Sequence, residues 1–192
     1  MSGNINKETL LMQANSIINR DDQVKIATLS DELTISQVVK FFERQGRNFT
    51  KTMIQNYVRV GVLPPPVEKR YYTKNHLVLL TLIDNLKAIY SLEEIKTVLM
   101  PIRNNPDMFE DDIIKATDVY RNYLTMRQET LDHWKKSLPD LLDKVNMLIE
   151  EDGVVESERN TAAAFMISLT VMADTIAMKD LIAEIIREHI RK

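Results

Sequence analysis

TISQVVKFFERQGRNFTKTMIQNYVRVGVLPPPVEKRYYTKNHL, residues 34–77, holds the pattern that decides the fold. Ile35, Val38, Val39 and Phe42 recur at i, i+3, i+4 and i+7, an apolar helical stripe that Thr34 or Ser36 is placed to cap. Residues 46–49 interrupt the stripe, and Thr50 can cap a second helix over residues 51–60. On that helix Ile54, Tyr57 and Val58 fall on the inward side. Lys51, Thr52, Gln55, Asn56 and Arg59 fall outward. Gly61 supplies a helix stop, and Pro64, Pro65 and Pro66 carry the chain off in an extended path that can form only an edge. The following VEKRYY alternates loosely and predicts a short hairpin with a basic, aromatic tip: Lys69, Arg70, Tyr71 and Tyr72.

Outward from this stretch, Thr73 caps a longer apolar helix with Leu79, Leu82, Ile83, Leu86 and Tyr90 on one face. Ser91 and Glu94 form an SxxE capping box for a further helix, whose Leu92, Ile95, Val98 and Leu99 point inward, and Pro101 closes the module. On the N-terminal side, Leu10, Leu11, Ala14, Ile17 and Ile18 predict a short helix in residues 7–20, joined to the module by a polar connector over 21–31. Beyond the module, a linker of turn residues at 104–107 leads to a helical tract reaching about residue 149. Its positions 113, 117, 120, 124, 127, 131, 134 and 138 step by fours and threes. Ile113, Tyr120, Leu124, Leu131, Trp134 and Leu138 make this a candidate dimerisation seam, interrupted at Pro139, where Ser137 and Asp140 suggest a new cap and two helices or one kinked one. An acidic loop over 150–160 precedes a last segment, 161–191, that is apolar on more than one side and therefore has to be buried in a bundle or across a subunit interface.

Charge follows the same division. Residues 34–76 carry eight basic side chains (Lys40, Arg44, Arg47, Lys51, Arg59, Lys69, Arg70, Lys74) against Glu43 and Glu68, a balance of +6. Since the chain as a whole is -3, the remainder is -9. A basic patch on an acidic protein is the footprint of a nucleic-acid-binding module. The chain has no cysteine, which excludes disulfides and thiolate chemistry and suits a reducing cytoplasm. The first residues do not read as a signal peptide, and residues 161–173 are too short an apolar run, before Asp174 and Lys179, for a bilayer that needs about 20. No GxGxxG, GxxxxGK, GxSxG or HExxH is present. His76, His133 and His189 lie far apart in sequence, so no catalytic residue, metal ligand or cofactor is expected.

The ordered combination TIS(Q)V, YVRVGVLPPP, RYYT and SLEEIKTVL resembles the DNA-binding domain of MerR-type transcriptional regulators, over about 65 residues. It is more similar still to the YkrK-like group of MerR-like bacterial proteins. The resemblance implies an all-α chain: an N-terminal winged helix-turn-helix with a short β wing, then a C-terminal helical or coiled-coil region. The divisions would be an N-terminal helix and connector (1–30), the DNA-binding domain (31–103) and a dimerisation or regulatory region (107–192). It also implies that the second helix enters the major groove of double-stranded DNA through Lys51, Thr52, Gln55, Asn56, Tyr57 and Arg59. Arg70 with Tyr71 or Tyr72 would hold phosphates from the wing. Departures from the family pattern are Asn56 and Val58, a longer turn RQGRNFTK and a shortened wing. The expected function is a cytoplasmic, homodimeric, sequence-specific regulator, with a small-molecule or protein effector open. The other reading is a protein-interaction adaptor that keeps the scaffold without binding DNA.

Overall fold

A computed structural model describes residues 5–18 and 31–190. The fold is mostly helical: among the described residues the elements run α1 (Lys7–Ile18), α2 (Ile35–Arg44), α3 (Lys51–Arg59), α4 (Lys74–Leu86), α5 (Leu92–Leu99), α6 (Ala116–Glu151) and α7 (Glu156–Ile185). A 3-10 turn, Met100–Ile102, follows α5, and a π-helical turn, Ile186–Ile190, follows α7. The expected connector over 21–31 lies, except for Asp31, outside the described residues. The chain divides into two compact units. Among the described residues one holds 31–124 and 186–190, and the other holds α1 with residues 125–185.

In the first unit the helix starts are set locally. The Thr34 backbone N–H donates to Gln37 Oε1 at 2.8 Å, Thr50 Oγ1 accepts from the Met53 N–H at 3.1 Å, and Ser91 and Glu94 close the expected capping box, with the Ser91 N–H donating to Glu94 Oε2 at 2.8 Å. Gly46 ends the turn after α2 with φ 71, and Gly61 ends α3 with φ 73, a left-handed backbone that glycine adopts without a Cβ penalty. Between them Val38, Phe42 and Ile54 are fully buried, and the Phe42 and Phe49 rings meet at 4.4 Å. At roughly 1.5–3 kcal/mol for each large side chain removed from water, such residues fix the α2–α3 pairing.

α4 departs from the one-faced helix that its apolar spacing predicts. His76 through Ile83 are all buried, so α4 is covered on every side and forms the centre of the unit, and Tyr90 lies past its end. The covering comes from α2, α3 and α5 and from Ala116 and Tyr120 at the start of α6. The unit therefore reaches Leu124, beyond the expected close at Pro101. Where a wing was expected, pairing is confined to two isolated antiparallel bridges, Val67 with Tyr71 and Leu33 with Tyr72, and no strand forms among the described residues. The three prolines before Val67 have no N–H to offer a ladder. The turn at Glu68 and Lys69 is tight, with φ 52 and 59.

In the second unit Leu10 and Ala14 of α1 pack with Leu138, Leu142, Val145 and Ile149 of α6 and with Ala163 and Ile167 of α7. Lys7 Nζ donates to Asp143 Oδ2 at 2.6 Å, and Asn160 Oδ1 accepts the Ile5 N–H at 2.6 Å. α6 runs through Pro139 as a single helix rather than as two, the other of the two expectations. The ring forgoes one backbone hydrogen bond, and Ser137 Oγ donates to the Trp134 carbonyl rather than capping a new helix. The acidic loop is shorter than read from sequence, a turn at Gly153 between the ends of α6 and α7.

The expected dimerisation seam is dispersed. Ile113 is exposed but lies in a turn before α6 begins, Tyr120 is buried in the first unit's core with Leu124 against it, and Leu138 is buried in the second. Leu131 and Trp134 remain half-buried. A 3-4 spacing marks a face that packs, and here intrachain cores take most of it. α7 departs in the opposite sense. It was expected to be buried, yet only Ala163 and Ile167 are. With the turn after it, Glu156–Ile190 is long and apolar enough to cross a membrane by length and composition, with a hydropathy of 1.6.

Candidate nucleic-acid interface

α3 separates its two faces as its sequence requires. Ile54 and Tyr57 are buried, and Lys51, Thr52, Gln55 and Arg59 are exposed. Asn56 is half-buried, and its Oδ1 accepts from Arg59 Nη2 at 2.6 Å, which holds the guanidinium along the helix surface. The outward set thus combines two cations, a hydroxyl and two amides on little more than two turns. These are groups suited to base edges and phosphates. Tyr57 does not belong to this set. It is only 3% exposed, and Lys87 Nζ lies 5.7 Å from its ring centre, so the role implied for it at a groove is corrected to a core role.

At the hairpin tip Lys69 and Arg70 are exposed, Tyr71 is half-buried, and the Arg70 guanidinium sits 5.1 Å over the Tyr71 ring. Tyr72 is buried against His76, ring centres 5.2 Å apart, and burial raises its hydroxyl pKa above the ordinary value. Of the two tyrosines, Tyr71 belongs to the tip and Tyr72 is the anchor beneath it.

Four residues outside the expected site hold these surfaces. Lys96 Nζ donates to the Val60 carbonyl at 2.9 Å and so satisfies the C-terminal end of α3 across 36 positions of sequence. Arg47, counted in sequence among the patch cations, is drawn inward: its Nη1 donates to Asp84 Oδ2 at 2.7 Å and to Asn85 Oδ1 at 3.1 Å, leaving its side chain 10% exposed. His76 is fully buried at the start of α4. Its Nδ1 accepts the Thr73 N–H at 3.0 Å, which places the ring proton on Nε2, 3.1 Å from the Pro65 carbonyl. The ring therefore ties the proline run to α4, and desolvation lowers its pKa to about 4. Phe109 stacks edge-on against it at 4.8 Å.

Arg103, the fourth, is buried with Asp112, Nε to Oδ1 3.4 Å, and its Nη2 donates to the Met108 carbonyl at 2.8 Å. Burial raises the Asp112 carboxyl pKa, with Arg103 opposing. Only the capping position of His76, three residues after Thr73, was visible locally. The other three pairings join distant stretches or cross a turn of irregular backbone.

Among the described residues no group of three His, Cys, Asp or Glu side chains could hold a metal ion. Residues 22–123, more than half of the 192, match the family described as a Domain of unknown function (DUF1836). Neither a curated protein nor a solved structure matches the chain.

Proposed function

We propose that this chain, which belongs to the DUF1836 family, is a sequence-specific DNA-binding regulator acting in the cytoplasm as a homodimer. In this reading α2 and α3 form the helix-turn-helix and residues 67–72 a reduced wing, in the manner of MerR-type regulators. The observation that carries it is the outward face of α3: Lys51, Thr52, Gln55 and Arg59 stand exposed while Ile54 and Tyr57 fix the helix in the core. Gln55 and Asn56 are suited to adenine, Arg59 to guanine or phosphate, and Lys69 and Arg70 to the backbone beside the groove.

Selection from random duplexes with the purified protein, followed by titration at several salt concentrations, tests the reading. Arg70→Ala should weaken binding to all sequences and lower the salt slope by about one ion, whereas Gln55→Ala should change the preferred sequence. Absence of any enriched duplex, or binding indifferent to Arg59→Ala and Arg70→Ala, refutes it. The adaptor reading draws on a different observation, the exposed apolar length of α7, and it gains if no duplex is selected.

A further inference from the structure

The cations of the basic patch differ in what holds them. Arg47 Nη1 lies 2.7 Å from Asp84 Oδ2, and Lys74 Nζ lies 3.9 Å from Asp31 Oδ2. In both cases a carboxylate offsets the charge. Arg59 is held by a neutral group instead: its Nη2 donates to Asn56 Oδ1 at 2.6 Å, short as bonds from a charged donor are. Residues three apart share a face of a helix, so this contact fixes the direction of the guanidinium without lowering its charge. Arg59 stands exposed, and its Nε and Nη1 have no partner among the described residues.

The same bond separates the two amides of α3. An asparagine or glutamine reads adenine with both ends of its amide, the oxygen accepting from N6 and the nitrogen donating to N7. Gln55 is exposed, and its oxygen is unoccupied among the described residues. Asn56 is half-buried, and its oxygen already accepts from Arg59. A flexible arginine gives up rotamer freedom on binding, which weakens affinity by roughly two- to tenfold. An arginine held in place beforehand avoids most of that loss.

We propose that Asn56 is a positioning residue. Its amide holds the Arg59 guanidinium aimed for DNA, and it acts through that contact rather than through a base contact of its own. This role rests on the DNA-binding reading, and it leaves to Gln55 the adenine-type contact that either amide is chemically suited to make.

In the full-length protein, 15N relaxation of the Arg59 Nε–H should show restricted motion in the wild type and free motion in Asn56→Ala. Alanine favours helix, so the variant keeps the fold. On the selected duplex and its single base-pair variants, Asn56→Ala should weaken binding roughly two- to tenfold. Its salt slope should match the wild type, because no phosphate contact is removed. The double variant with Arg59→Ala should bind no more weakly than Arg59→Ala alone. Asn56→Asp keeps the acceptor but offsets the charge, so it should leave Arg59 ordered while weakening binding to all sequences and lowering the salt slope by about one ion. An Arg59 side chain as mobile in the wild type as in Asn56→Ala overturns the proposal and leaves the DNA-binding reading standing. Losses that add in the double variant, or discrimination lost at a base pair that Arg59→Ala leaves untouched, do the same. Failure to select any duplex overturns both.

Discussion

Acidification should destabilise the first unit through one buried ring. His76 is neutral in the folded chain, its Nδ1 occupied by the Thr73 N–H and its Nε2–H by the Pro65 carbonyl, and burial holds its pKa at about 4 against 6.5 for the ordinary side chain. Between these values the unfolded chain binds a proton that the folded chain refuses, so stability is full above the unfolded value and falls as pH drops towards the folded one. Integrating over that window gives a loss of about 2.5 kcal/mol between pH 7.5 and pH 4.5. With a urea slope near 2 kcal/mol/M, this is a shift of roughly 1 M in the unfolding midpoint.

The measurement is urea unfolding of wild type and His76→Gln across that range, followed by far-UV circular dichroism. The variant should be less stable at neutral pH, having lost ring contacts to Tyr72 and Phe109, but it should lack this part of the acid dependence. Asp112, whose pKa is raised by burial, acts in the opposite sense and is present in both proteins, so it cancels in the difference. Equal acid sensitivity in the two proteins would refute the assignment.

Two further outcomes follow from the supports of α3 and α4. Gly61→Ala forces a Cβ into left-handed backbone 3.2 Å from Lys96 Nζ, whereas Gly46→Ala has the same backbone strain but open space. Both should cost about 1 kcal/mol of stability, read as a lower thermal midpoint, with Gly61→Ala the larger loss because Lys96 Nζ has to shift by a few tenths of an ångström in its bond to the Val60 carbonyl. At the buried pair, Arg103→Met or Asp112→Leu alone should cost about 3–5 kcal/mol by leaving one charge uncompensated, while the double replacement should recover most of it. Additive losses in a double-mutant cycle would show that the two side chains do not act as a pair.

What the sequence made legible was local. Thr34, Thr50, Thr73 and Ser91 cap helices where their spacing predicts, and α3 turns Ile54 inward and Gln55 outward as its periodicity requires. What escaped was decided by partners far away in sequence. A count of charges cannot see that Asp84 removes Arg47 from the surface, nor can a 3-4 seam say that Tyr120 and Leu138 face two different cores. α4 looked one-sided because its apolar count was read without the start of α6 packed against it. Pro139 left two helices or one kinked one open because proline disfavours helix interiors, and the single helix persists because one lost hydrogen bond is small beside the many bonds of a 36-residue helix.

The tip at Glu68 and Lys69 has a consequence for how this chain can vary. Both residues hold a backbone in which glycine would be more stable by about 1 kcal/mol. Two charged side chains instead occupy the exposed apex beside Arg70, so Glu68→Gly or Lys69→Gly should raise stability while removing a charge from the tip.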